Sequence, residues 1–217
     1  MSTGIVAAAA GSAPSPMRFD GVALAQVVDN RDMTGQARVQ LRLPWLPGIE
    51  PWARVAVPMA GDSRGTFIIP QVGDEVLVAF NHGDPRDPYV LGSLWNGSDR
   101  PPATSPTDPA DKIVVRTPRG HEIELDDMTG SVTVTTPSKQ RITLSTDGIE
   151  LSAGDGAATI SLSASWAITV EGRSSIELKA PTVTVSASAA AEVSGDASVK
   201  VTSSGECSVS GSIVRIN

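Results

Sequence analysis

The second half of the chain sets the tightest limit on what it can fold into. From Ser131 to Asn217 apolar residues recur as two-beat dyads around one intervening residue: Val132-Thr-Val134, Ile142-Thr-Leu144, Ile149-Glu-Leu151, Ile160-Ser-Leu162, Ile168-Thr-Val170, Ile176-Glu-Leu178, Val183-Thr-Val185, Val199-Lys-Val201 and Cys207-Ser-Val209. Alternation at period two predicts short, half-buried strands, because successive side chains of an extended chain point to opposite faces. The dyads return roughly every seven to eleven residues, with Ser, Gly, Asp or Ala between them, which predicts stacked repeats rather than a sandwich with long connections. About a third of the stretch is Ser and Thr, and Trp166 is its one aromatic. A single ribbon of this kind leaves an apolar face and two strand edges in water, a state that proteins avoid. Three copies wound around one axis bury both. A single-chain parallel β-helix, or an all-β domain with weak strands, fits the same periodicity, which does not count chains.

The first half reads differently. After a small, apolar lead (1–16) ending in Ser-Ala-Pro-Ser-Pro, strand-like runs at Phe19 to Val28, Ala37 to Leu43, Trp52 to Val57, Gly65 to Ile69, Glu75 to Phe80 and Tyr89 to Trp95 alternate with Pro, Gly and Asp turns. Short, turn-punctuated strands in this number predict a small Greek-key barrel of the OB type over 17–97. Trp45, Trp52 and Trp95 are expected to fill the barrel or its contact with the following rod; a sugar-stacking platform is the alternative for Trp45. His82, in the loop His82-Gly-Asp-Pro-Arg-Asp-Pro88, has no Ser, Cys or second His at a telling spacing, so a turn or interface role is expected rather than catalysis or metal binding. Residues 98–111, rich in Pro, Ser and Asp, read as a linker, and 112–217 as the rod.

Charge narrows the partners. The formal net charge is −7, with sixteen acids against eleven bases before Ser131 and eight against six after it. An acidic balance before Ser131 and a nearly neutral stretch after it offer no basic stripe, so nucleic acid is not an expected partner. The single cysteine, Cys207, sits in a dyad and is expected to be buried rather than reactive. Glu122, Glu124 and Asp126 alternate with Ile123 and Leu125, which predicts an outward charged rim, with Ca²⁺ binding as the alternative. The lead lacks a basic segment and a Leu/Ile/Val-rich core, so synthesis in the cytoplasm without a signal peptide is expected.

Several motifs resemble a known family. Gly35-Gln-Ala-Arg-Val-Gln-Leu-Arg-Leu-Pro-Trp45, Trp52-Ala-Arg-Val55, Pro58-Met-Ala-Gly61, Arg64-Gly-Thr-Phe67, Pro70-Gln-Val-Gly-Asp-Glu-Val-Leu-Val-Ala-Phe80, His82-Gly-Asp-Pro85 and Pro88-Tyr-Val-Leu-Gly-Ser-Leu-Trp-Asn-Gly97 resemble, in order, the OB domain of phage baseplate assembly protein V and of valine-glycine-repeat (VgrG-like) spikes. The repeats that follow resemble that family's triple-stranded needle. The resemblance implies an all-β homotrimer in which an OB barrel precedes an intertwined triple-stranded β-helix, or β-prism. Its core would be Ile142, Leu144, Ile149, Leu151, Ile160, Leu162, Ile168, Val170, Ile176, Leu178, Val183 and Val185.

The implied function is structural: the central spike of a contractile injection machine such as a phage tail, tailocin or extracellular contractile particle, assembled in its baseplate. It would dock on a hub and pierce the target cell envelope on sheath contraction, with no enzymatic activity and no cofactor. Some tailed-phage relatives carry a lysozyme domain where this chain has only its linker. The short lead implies a separate hub protein. No His follows His121, so the His-x-His iron site of self-tapering phage spikes is not expected. Ile213, Val214, Ile216 and Asn217 would instead seat a PAAR-repeat tip protein. A β-helical polysaccharide-processing enzyme and a free OB-fold binding module are the competing readings.

Overall fold

A computed structural model describes residues 18–216. In the first half, β1 (Val22–Asp29), β2 (Val39–Arg42), β3 (Trp52–Val55), β6 (Glu75–Phe80) and β7 (Pro88–Leu94) close into a barrel in the order β1-β2-β3-β7-β6. All pairings are antiparallel except β3 with β7, which run parallel and shut the barrel. Alternation along these strands sends Ala25, Val27, Val39, Leu41, Ala53, Val76, Val78 and Val90 inward, each 2% exposed or less. This is the OB-like barrel that the sequence predicts.

A dense carboxylate knot fixes the β1–β2 connection. Asp32 accepts hydrogen bonds from the Thr34 amide (3.0 Å) and hydroxyl (2.7 Å), the Gln36 and Arg38 amides, and the Arg38 guanidinium (3.1 Å). The Arg38 guanidinium, followed by these further donors, holds the Asp32 carboxyl far below the usual carboxylate range.

One expected strand is cut short. The run from Gly65 to Ile69 supplies only the end of a two-residue ribbon, β4 (Ala60–Gly61) with β5 (Arg64–Gly65). Gly65 sits at φ +149°, where an added Cβ would lie 2.5 Å from the Met59 carbonyl oxygen. The Thr66 amide still donates to the Met59 carbonyl (2.9 Å), and beyond it Phe67 and Ile68 stay exposed.

After a single helical turn, α1 (Asp108–Asp111), the chain forms one seven-stranded antiparallel meander: β8 (Lys112–Arg116), β9 (Glu122–Asp126), β10 (Ser131–Thr135), β11 (Arg141–Ser145), β12 (Gly148–Ala153), β13 (Ala158–Ser163) and β14 (Ile168–Gly172). Each strand pairs with its predecessor through a short turn. Beyond Gly172 no strand ladder forms within the chain among the described residues. The backbone instead bends at 173–174, 181, 188–189, 196–197, 204–205 and 212.

Candidate interaction surface

Register turns the dyads into two continuous columns on one face of the meander. One column runs Val115, Ile123, Val134, Ile142, Leu151, Ile160, Val170, each residue directly opposite the next. The other runs Ile113, Leu125, Val132, Leu144, Ile149, Leu162, Ile168. Directly opposed aliphatic pairs are the unit by which a sheet stabilises itself. Yet apart from the half-buried Val132 all of these side chains are exposed to solvent. Covering one such side chain fully is worth about 1.5–3 kcal/mol. A face carrying two per strand across the whole sheet is therefore an interaction surface, not an incidental patch.

Of the residues expected in the trimer core, Ile142, Leu144, Ile149, Leu151, Ile160, Leu162, Ile168 and Val170 fall in these columns. Ile176 follows on, lining one groove with Val134, Ile142, Leu151, Ile160 and Val170. Leu178, Val183 and Val185 lie exposed in the segment without a ladder, so the described residues give them no core. Sequence reasoning left Ile113, Val115, Ile123, Leu125, Val132 and Val134 out of the core list, although register continues both columns through them. It also passed over Ala191-Glu-Val193. Placed between the bends, this pair and Val214-Arg-Ile216 complete a series at 176, 183, 191, 199, 207 and 214, a step of seven or eight residues.

The opposite face is polar. Lys112 bridges Glu124 (3.3 Å) and Asp126 (3.5 Å), and Arg116 pairs with Glu122. Every carboxylate of the acidic alternation thus has a cationic partner. The Thr129 amide, ahead of Lys112, lowers the pKa of Asp126, while Glu124, ahead of Asp126, raises that of Lys112. Farther along, this face presents Thr133, Thr143, Glu150, Ser161 and Thr169 in register.

The remaining singled-out residues take structural places. His82 adopts φ +49° in a 3₁₀ turn, Asn81–Gly83, and its carbonyl accepts both Nε (3.2 Å) and Nη2 (2.8 Å) of Arg18. Trp45 packs against Phe19 at 4.3 Å and Phe80 at 5.8 Å between ring centroids, and its indole N–H donates to the Leu24 carbonyl. Its ring is committed to this aromatic cluster. Trp52 carries the Arg38 guanidinium 5.7 Å above its ring. Trp95 does not fill the barrel; it lines a groove shared with Pro101, Pro102, Arg116 and Pro118, at the start of the rod. Cys207, expected to be buried, is exposed, because nothing among the described residues covers its segment. Ile213, Val214 and Ile216 are likewise exposed, and Asn217 lies outside the described residues.

A closed OB-like barrel followed by a meander with an uncovered apolar face defines a class: a small head joined to a sheet that completes itself on other chains. Comparison with known proteins agrees in both halves. Residues 23–95 match the type VI secretion system/phage-baseplate injector OB domain, and residues 112–174 match the phage baseplate V C-terminal trimerisation domain. The chain belongs to the contractile-tail baseplate spike family of phage baseplate protein V and VgrG-like spikes. Among curated relatives, the type VI secretion system spike protein VgrG3 of Vibrio cholerae is 38% identical over 85 residues, 37% of this chain. VgrG2a of Pseudomonas aeruginosa is 30% identical over 136 residues, 55% of this chain. The actin cross-linking toxin VgrG1 of Vibrio cholerae is 37% identical over 86 residues. The aligned part spans only 8% of VgrG3 and of VgrG1 and 16% of VgrG2a. The trimerisation-domain match supports a homotrimer. No helix among the described residues is long and apolar enough to cross a membrane.

Proposed function

We propose that the chain is the central spike of a contractile injection machine, a non-enzymatic part that acts by force. The observation that carries this reading is the pair of exposed aliphatic columns directly after an OB barrel. Three copies turned inward would share one dry core, with the Ser/Thr-rich polar faces outward. A stiff rod of that cross-section concentrates sheath force on a small area of target envelope. The barrels would dock on a baseplate hub protein, and the needle would lead. Exposed Ile213, Val214 and Ile216, together with Asn217, supply a surface that a PAAR-repeat tip protein would cover. Assembly would follow synthesis in the cytoplasm and place the protein in the baseplate.

Light scattering on the purified chain tests the core of this reading. A mass near three times 22.4 kDa that survives warming in detergent is expected. A monomer at every concentration overturns it, because one copy has nowhere to bury its columns. Pull-down of a PAAR-repeat protein by the wild-type chain, lost in I213D/I216D, checks the tip contact.

A further inference from the structure

A turn at the edge of the meander holds Trp166 in water, 96% exposed, at φ +69°. That backbone region is costly for a residue with a Cβ. The turn between β13 and β14 is nonetheless firmly built. The Trp166 amide donates to the Ser163 carbonyl (3.0 Å), the Ser163 amide to the Ala167 carbonyl (2.9 Å) and the Ala167 amide to the Ser163 hydroxyl (3.3 Å). The Ala164 amide ties it to the neighbouring turn through the Asp147 carbonyl (2.8 Å). The indole is thus presented by a rigid support, as anchor residues of interfaces are.

The topology indicates what it faces. A meander throws its turns alternately to two edges: 127–130, 146–147 and 164–167 on one, 117–121, 136–140 and 154–157 on the other. When three copies bring their apolar columns to a common axis, one edge of each sheet lies beside the opposite edge of the next. On that opposite edge, about one strand spacing of 4.8 Å from the level of Trp166, the β12–β13 turn is Gly154-Asp155-Gly156-Ala157. No side chain there is larger than aspartate, and Lys139 pairs with Asp155 beside it. We propose that Trp166 seats on the Gly154–Ala157 turn of a second copy, with that copy's Lys139 ammonium near the ring, and so clasps the corners of the trimer. The occupant is a second copy because both turns lie inside the matched trimerisation region, 112–174. The inference rests on the trimeric reading of the spike.

The test uses the full chain as wild type, Trp166→Phe and Trp166→Ala. The wild-type minus W166F emission spectrum isolates Trp166; it is expected to be blue-shifted and shielded from iodide in a particle of three times 22.4 kDa. The W166A trimer is expected to dissociate in detergent about tenfold faster or more, since truncating an interface anchor acts mainly on the off-rate. A trimer whose Trp166 is freely quenched by iodide overturns the clasp and leaves the spike reading intact. So does shielding that appears only on adding phosphatidylcholine vesicles, which would assign the indole to a lipid surface. A wild-type monomer overturns the trimer itself, and the clasp with it.

Discussion

The barrel and the rod use similar strands to opposite ends. In the barrel, alternation sends one side chain of each pair into a core that is closed by the β3–β7 pairing and 2% exposed or less. In the rod, the same alternation builds two columns as regular as any core and leaves them facing water. The difference lies in closure. A sheet that returns to its first strand makes its own inside, whereas a meander that only moves forward must find its inside in other chains. The barrel is a finished object and the rod a third of one.

The largest expected effect tests that contrast directly. Leu151→Asp places a charge in a column three times over, and burying unpaired charge costs far more than an aliphatic contact returns. Light scattering should show complete loss of the detergent-resistant trimer, with the barrel's own unfolding transition retained. Loss of both together would break the comparison. Leu41→Ala should do the reverse, lowering barrel stability by about 2–5 kcal/mol in denaturant titration while the mass stays trimeric. Gly148→Ala probes the rod's internal register: at φ +136°, an added Cβ would lie 2.0 Å from the Leu162 carbonyl oxygen. Protection of the β12–β13 amides from hydrogen exchange should fall, with little change in the barrel.

Asp32 has a folded-state pKa depressed below its unfolded value of about 3.9, so its contribution is fully present above that value and is lost as pH falls through the folded one. Barrel stability should therefore decline as pH falls below about 4, and Asp32→Asn should flatten that decline while weakening the barrel at neutral pH. The smallest effect belongs to Lys139→Ala, which removes an ion pair with both partners largely exposed. Such exposed pairs add about 0–1 kcal/mol to stability, so the unfolding midpoint of the trimer should shift only slightly.

How much of this was legible in the sequence follows from what alternation encodes. Ile142-Thr-Leu144 and its neighbours announce strands and a shared face, because period two is a property of one strand. Which dyad stands opposite which is set by turn lengths, and the columns emerge only when Ile149 is seen across from Leu144 and Leu162. Ala191-Glu-Val193 escaped notice because alanine carries too little apolar surface to register as a beat; the bends at 188–189 and 196–197 frame it. Gly65 to Ile69 read as a strand from its β-branched and aromatic residues, but only Gly65 of that run pairs, opposite Ala60. Trp95 read as filling either the barrel or its contact with the rod, and only the groove beside Pro101 and Arg116 distinguishes the two.

The forward-only order of the meander also sets a timetable. Every strand from β9 to β14 finds its partner in the residues just made, so this part of the sheet can lengthen hairpin by hairpin as the chain leaves the ribosome, at little cost in loop closure. The residues after Gly172 have no such neighbour to wait for, and in the trimer their ordering is a meeting of three chains. Refolding from denaturant should accordingly split into an early phase indifferent to protein concentration and a late one that quickens steeply with it. A cell making this protein would gain from translating many copies side by side on one message.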